Sequence, residues 1–295
     1  MAHAMSDGFG NPSSAHRVGE QARRLVSQAR DSVAELVGCP TSKIFFSSGA
    51  TESNNWVFSN LLKHGGAVLS TEAEHSSVKE RLVGGLGPEQ WRILPIDADG
   101  LVQLESLERQ ITESAFVSVH WANNETGVVQ PIKQILNICR ENSVPLHVDA
   151  SQAVGKILVD VNEVDLDYMT FTAHKFHGPQ GIGALYCKDP EELKPLYFGG
   201  GQESGRRPGT ENLPGIVGFG TAAAIRRTKL KETVEYLTDL RDCFERSVID
   251  SIPDVFVNGS VVSRVCNTSN LRFEGVDGQA LVAQLDAQGL SLIHI

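Results

Sequence analysis

The chain has 295 residues, 41% hydrophobic and 21% charged, enough to bury a full core without disulfide or metal staples. Acidic residues outnumber basic ones 36 to 26, a net charge of −10 at pH 7 that excludes a protein bound to nucleic acid through its phosphates. No apolar run approaches the ~18 residues of a membrane span, and the start MAHAMSDGFGNPSS lacks the regions of a signal peptide, so a cytoplasmic protein is expected.

Along the chain, Val18, Ala22, Leu25, Val26, Ala29, Val33 and Leu36 recur at helical spacing, and Gly38 stops the run. Ile44-Phe45-Phe46 is a short apolar strand, and 51–62 returns to a helical period. The rhythm repeats as strand 67–71 and helix 74–83, strand 91–96 and helix 104–112, strand 115–121 and helix 131–141, then strand 145–149. Such alternation predicts a mostly parallel sheet covered on both faces. Apolar runs at 168–172 and 182–187 flank a Gly/Pro/His-rich turn and predict a strand pair, either parallel or antiparallel. From 213 to 252 the pattern is helical, leading to strands near 255–258 and 267–273 and a helix near 277–288.

Candidate chemistry gathers where strands end. In Thr172-Ala173-His174-Lys175-Phe176-His177-Gly178-Pro179, Lys175 is a candidate Schiff-base lysine; the competing reading is a surface lysine after a strand. His174 and His177 lack a third ligand at sensible spacing, so no metal is expected. Asp149, in His147-Val148-Asp149-Ala150-Ser151-Gln152, ends an apolar strand where open α/β sheets place ligands; it is a partner for a pyridinium nitrogen or a helix cap. Ser47-Ser48-Gly49-Ala50-Thr51-Glu52-Ser53-Asn54 offers free backbone N–H groups and hydroxyls to a phosphate, or is a plain helix start. Trp121-Ala122-Asn123-Asn124-Glu125-Thr126-Gly127 puts amides at the same edge, and His75 after Glu74 is either a stacking ring or a loop histidine. The segment Gly199-Gly200-Gly201-Gln202 to Arg206-Arg207-Pro208-Gly209-Thr210 carries guanidinium donors suited to an anion. Gly218-Phe219-Gly220 falls inside a helical run, which argues against a dinucleotide fold. Five cysteines without a CxxC pair indicate neither a disulfide framework nor a zinc site.

Taken together, Gly10-Asn11-Pro12-Ser13-Ser14, the Gly49–Asn54 turn, Glu74-His75, Asn123-Asn124-Glu125-Thr126-Gly127, Asp149, His174-Lys175 and Arg207-Pro208-Gly209-Thr210 resemble the cysteine desulfurase family. The family includes selenocysteine lyase relatives and belongs to the class V aminotransferase group of fold-type I pyridoxal-phosphate enzymes. The resemblance implies a pyridoxal 5'-phosphate cofactor, a homodimer, L-cysteine as substrate and a sulfur-acceptor protein, with iron–sulfur cluster assembly among the destinations. It makes Lys175 and His75 catalytic, the first as Schiff-base lysine and the second stacked on the cofactor ring. Asp149 would meet the pyridine nitrogen, and Gln152 and Asn124 the phenolic oxygen or the substrate. Ala50, Thr51, Thr172 and His174 would hold the phosphate, with Thr210 reaching in from the partner subunit.

The same resemblance marks departures. The family's LDNAATTP-like opening and its SSGSACxS-like loop with the nucleophilic cysteine are not found, and none of Cys39, Cys139, Cys187, Cys243 and Cys266 sits at the loop position. Leu290-Ser291-Leu292-Ile293-His294-Ile295 resembles the translated end of a sequencing transposon. The expected organisation is therefore a large cofactor domain over 8–228, a partial small α/β domain over 229–289 and an artefactual tail over 290–295. A fragment of that kind is expected to be inactive by itself. The alternatives are a selenocysteine lyase or other class V aminotransferase-like enzyme, told apart by that loop, and a catalytically silent sulfur-transfer scaffold.

Overall fold

The computed structural model describes residues 1–6, 10–87 and 90–292; the domain start expected at Gly8 and residues 293–295 of the expected tail lie outside them. In chain order the elements are α1 (Ala2–Ser6), α2 (Arg17–Val37), β1 (Ile44–Ser47), α3 (Ala50–Leu61), β2 (Ala67–Ser70), α4 (Ser76–Gly85), β3 (Trp91–Ile93), α5 (Leu104–Gln110) and β4 (Ser114–His120). There follow α6 (Ile132–Glu141), β5 (Leu146–Asp149), α7 (Val161–Val164), β6 (Tyr168–Thr172), β7 (Gly183–Cys187), α8 (Leu213–Ser251), β8 (Val255–Val257), β9 (Leu271–Phe273) and α9 (Gly278–Ala287).

Seven strands form one sheet in the order β1-β7-β6-β5-β4-β2-β3, and β7 alone runs against its neighbours. The pair expected at 168–172 and 182–187 is thus antiparallel, with Thr172 opposite Gly183. Strands β1, β2, β5, β6 and β7 are buried at every position, as a sheet covered on both faces requires. On one face α3 and α4 bury Trp56, Phe58, Val78 and Leu82 against Phe45, Phe116 and Val68. On the other, the Ala22, Val26, Ala29 and Val33 stripe of α2 packs with Ile216, Phe219 and Ala223 of α8, in a core that extends to Ile135 and Cys139 of α6. Phe219 anchors this layer, its ring 5.8 Å from Phe171 and from Phe176 and 6.1 Å from Phe46.

Element boundaries differ from expectation for local reasons. Strand β3 ends at Ile93 rather than residue 96 because Pro95 has no N–H to give a ladder, while Leu94 N–H still reaches Ser70 O at 2.9 Å. Helix α4 starts at Ser76 because His75 is its N-cap, the ring Nδ1 accepting from Ser77 N–H. The strand expected from 267 begins at Leu271, since Asn270 Nδ2 donates to Glu125 O at 3.2 Å and holds the preceding loop against the 123–127 turn.

The 39 residues of α8 extend about 58 Å at 1.5 Å per residue. Its buried residues stop at Ala223 and resume only at Glu245. There Arg264 grips Glu245 with both arms, 2.7 Å to Oε1 and 2.5 Å to Oε2, both side chains nearly inaccessible. Burial opposes ionisation of Glu245, but the guanidinium outweighs it and holds the carboxyl below its ordinary value. Residues 263–265 also ladder onto 127–129, with Val129 N–H to Ser263 O and Val265 N–H to Gly127 O both 2.9 Å. Removing one member of such a buried pair strands the other charge. Arg264→Ala should cost roughly 3–5 kcal/mol in denaturant unfolding, and Arg264→Met with Glu245→Met together should cost much less; equal losses would show that the pair is not what holds this junction.

Candidate active site

Strands β1, β2, β4, β5 and β6 all point the same way, so the segments that follow them meet along one edge of the sheet, where open α/β folds bind ligands. That edge carries Ala50 and Thr51 after β1, His75 after β2, Asn124 after β4, Asp149 and Gln152 at the end of β5, and Thr172, His174 and Lys175 at the end of β6. Thr210 is exposed in the loop before α8.

The register places Asp149 opposite His120 on β4 and Thr170 on β6. Asp149 is buried; Oδ2 accepts from Asn54 Nδ2 at 2.9 Å and Oδ1 from Ser151 N–H at 3.0 Å. Asn54, on the sheet-facing side of α3, also donates to Ser77 Oγ at 2.9 Å and accepts from Thr170 Oγ1 at 2.5 Å. The Ser77 hydroxyl lies 2.8 Å from His75 Nδ1. With Nδ1 accepting from the Ser77 backbone and hydroxyl, the neutral His75 ring carries its proton on Nε2. One chain of hydrogen bonds therefore joins His75 to Asp149.

Two further histidines lie beneath. His147 is fully buried, with Nδ1 2.9 Å from Ser118 Oγ and its ring edge-on to Phe58 at 5.7 Å. Burial pulls its pKa down to about 4, against the opposing charge of Asp149. His120 Nδ1 meets Glu74 Oε1 at 2.9 Å, and Thr71 Oγ1 donates to that oxygen at 2.8 Å. Burial disfavours a charged His120, but the Glu74 carboxylate, aided by Asp149, raises its pKa above the ordinary value. Gln130 donates to Gly100 O and accepts from Val102 N–H, so the amide nitrogen 3.3 Å from His120 Nε2 is a donor and the ring's proton sits on Nδ1, facing Glu74.

At the end of β6, Lys175 is half-buried in the turn 173–176. Thr172 spends its hydroxyl hydrogen on Ile182 O at 3.0 Å, which leaves its oxygen to accept from His174 Nδ1 at 3.1 Å. Burial and the charge of Lys175 lower the His174 pKa. Helix α3 starts behind Gly49 with no side-chain cap, and Thr51 is exposed in its first turn. Gly183 allows that turn to lie against β7, since a Cβ there would stand 2.7 Å from Gly49 Cα. Gln152 Oε1 accepts from the buried Lys156 Nζ.

One expectation is corrected. Arg206 and Arg207 are not free donors for an anion: Arg207 holds Glu52 through two bonds of 2.8 and 3.1 Å, and Arg206 binds Pro190 O at 2.7 Å and Glu191 at 3.2 Å. In the 123–127 turn the buried amide is Asn123, whose Oδ1 accepts from Glu125 and Thr126 N–H at 2.9 Å, while Asn124 is exposed. The sequence reading did not single out Asn54, His120 or Lys156. Asn54 had a signal, being a polar residue between Ser53, Val57 and Phe58 on the buried side of α3; the other two lie in runs that read as apolar strand and loop.

The sequence profile of the family described as aminotransferase class-V matches residues 1–294. The chain belongs to that family. It is 37% identical to the cysteine desulfurase IscS of Dictyoglomus turgidum over 99% of this chain and 76% of that protein. Among solved structures, a NifS-like protein superposes with a TM-score of 0.94 at 34% identity, covering 98% of this chain and 81% of the other. SspA in complex with cysteine superposes with a TM-score of 0.80 at 31% identity, covering 97% and 81%. Within the class-V aminotransferases the chain is thus a cysteine desulfurase homologue with the fold of type I pyridoxal-phosphate enzymes, and the family depends on pyridoxal phosphate.

The buried neutral His147 makes stability depend on pH. The unfolded chain takes up its proton near 6.5 and the folded chain only near 4, so this contribution is complete above 6.5 and lost as pH falls through that window. The loss should reach up to about 3 kcal/mol. His147→Gln should flatten the slope of unfolding free energy between pH 6.5 and 4.5; an unchanged slope would assign it to other groups. Glu52 and Glu245, held below the ordinary carboxylate value of 4.5, add their own losses only below this window.

Proposed function

We propose that this chain holds pyridoxal phosphate through Lys175 and that the sheet edge around it serves the cysteine desulfurase reaction. The observation that carries the reading is the buried Asp149 carboxylate, fixed on both oxygens, one strand away from the half-buried Lys175. The residues fit the group. A buried, hydrogen-bonded carboxylate suits a pyridinium nitrogen. The uncapped first turn of α3, the Thr51 hydroxyl and His174 suit a phosphate, with Thr172 acting through its bond to His174.

Bound there, pyridoxal phosphate supplies an electron sink for charge developing at the substrate Cα. Lys175 Nζ would take and return the Cα proton, and His75 would stack on the ring, its Nε2–H left free by the bonds at Nδ1. Gln152 and Asn124 would meet the phenolic oxygen or the substrate. The sulfur-transfer step needs a thiolate, and the buried thiols are poor candidates: burial pushes Cys39, Cys139 and Cys187 up to about 12 and raises Cys266, while Cys243 is exposed on α8. The free thiols are in keeping with work in the cytoplasm, and no helix among the described residues is long and apolar enough to cross a membrane. The end of the buried α8 face at Ala223 supports a domain division near residue 228.

Loaded with the cofactor, the wild-type chain should show the visible absorbance of pyridoxal bound through lysine, and Lys175→Ala should lose it. In the same preparation with L-cysteine, persulfide labelling should find none of the five cysteines modified. Absorbance retained in Lys175→Ala would overturn the reading of that residue, and a labelled cysteine would overturn the reading of the thiols.

A homodimer completes this reading. Phe198 is 94% exposed twelve residues before the exposed Thr210. An open cleft of about 520 Å³ between α3 and α4, lined in part by Thr51, Ser77 and Arg81, is left uncovered by the chain itself. Light scattering should give twice the chain mass, and Phe198→Asp should return the monomer; a wild-type monomer at micromolar concentration would remove Thr210 from the site.

A further inference from the structure

Lys156 stands apart from the groups already assigned. It is only 9% exposed, and among the described residues no carboxylate is ion-paired with it. A buried ammonium with no counter-charge costs stability, so its retention calls for a role. The groups that face it are Lys175 in the turn after β6, Arg226 on α8, and the Cys266 thiol, whose sulfur lies 3.9 Å from Lys156 O. Burial, and then the charge of Lys175, bring the Lys156 pKa down to about 8, with Arg226 adding to the fall and Cys266 opposing it. At neutral pH the group is still mostly an ammonium.

Its hydrogen-bond partner is Gln152 Oε1. An ammonium has donors and no acceptor, so it must meet the oxygen of the amide rather than the nitrogen. Gln152 is then left with only its Nε2 hydrogens to offer. The turn between the two residues is packed directly against the Schiff-base segment: Gly155 adopts φ +78°, and a Cβ there would lie 2.9 Å from Phe176 Cβ and 3.0 Å from Arg226 Cγ. Lys156 N–H to Ala153 O at 2.9 Å closes the turn.

We propose that Lys156 is a positioning residue: by binding Gln152 Oε1 it locks the amide with Nε2 as a donor toward the anionic ring oxygen of the cofactor. The inference rests on the reading of Lys175 and Gln152 given above. A donor at that oxygen stabilises its anion and lowers the proton affinity of the neighbouring imine nitrogen. Without Lys156 the amide is free to turn its carbonyl to the oxygen, and the proton affinity rises.

The test is a pH titration of the visible absorbance of the chain loaded with pyridoxal phosphate. Lys156→Met should keep the cofactor, lost in Lys175→Ala, yet bind the titrating proton roughly tenfold more tightly. Lys156→Arg, which keeps charge and donors, should restore the wild-type midpoint to within about threefold. Gln152→Ala should shift it in the same sense, and Lys156→Met should add little in that background, because the first residue acts through the second. If Lys156→Met does not fold, Lys156→Gln is read by the same criteria. A midpoint unmoved in the neutral variant, or shifts that add independently with Gln152→Ala, would overturn this inference alone. A wild-type chain with no lysine-bound absorbance would overturn both this inference and the reading beneath it.

Discussion

The structure turns on how a carboxylate is kept buried at the end of β5. Among the described residues no cation forms an ion pair with Asp149; a neutral amide and one backbone N–H satisfy it. Asn54 can do this because every polar atom it has is committed. Both amide hydrogens go to Asp149 and Ser77, and its oxygen takes the Thr170 hydroxyl. Its orientation is therefore set by three elements at once, α4, β5 and β6, while the residue itself stands on α3. A half-satisfied network in such a place costs more than an apolar contact, so α3 can neither slide nor rotate without unpairing buried groups. The uncapped start of α3 and the cap at His75 inherit that fixed frame.

Charge then secures the loops that the hydrogen bonds do not reach. Glu203 accepts two bonds from Arg30 of α2 and one from Phe46 N–H of the edge strand β1, while the same guanidinium lies 4.6 Å over the Phe46 ring. Glu52 takes Arg207, and its other role is to accept Ser48 N–H ahead of α3. The start and the middle of the 202–212 loop are thus tied to the flanks of β1, and Thr210, beyond Arg207, is exposed. On the far side, Arg264 and Glu245 press the 263–265 segment onto the 127–129 ladder behind the Asn123 turn.

Most of the framework was legible in the sequence because burial and period coincide there. The Ala22 to Val33 stripe and the apolar strands 44–46, 117–119 and 146–148 carry their geometry in composition alone. The site was legible as a set of strand ends, each with a polar or glycine-rich segment. What stayed hidden were partners brought from far along the chain. Asn54 meets a carboxylate 95 residues away, and Glu52 meets an arginine 155 residues away. Arg206 and Arg207 looked available because the groups they bind, Glu52 and the 190–191 turn, are not their sequence neighbours. Lys156 read as part of a loop, since its burial arises only when α8 and the 173–176 turn close over it.

These placements divide the site by charge across the sheet. Asp149, Glu74 and its hydrogen-bond partner His120 lie on the face covered by α3 and α4. The turn carrying Lys156 leans instead toward Arg226 of α8, with Lys175 beside it. A ligand seated between the two faces would meet acid on one side and amine on the other, without either being paired off in advance. That arrangement suits a ring that is cationic at one atom and anionic at another, and it fits the separate satisfaction of Asp149 and Lys156. A salt bridge between Asp149 and Lys156 would relieve both desolvation costs, but it would also abolish the field that such a ring would meet. The fold instead satisfies Asp149 with neutral donors and Lys156 with a neutral acceptor, and each charge remains available to the ligand.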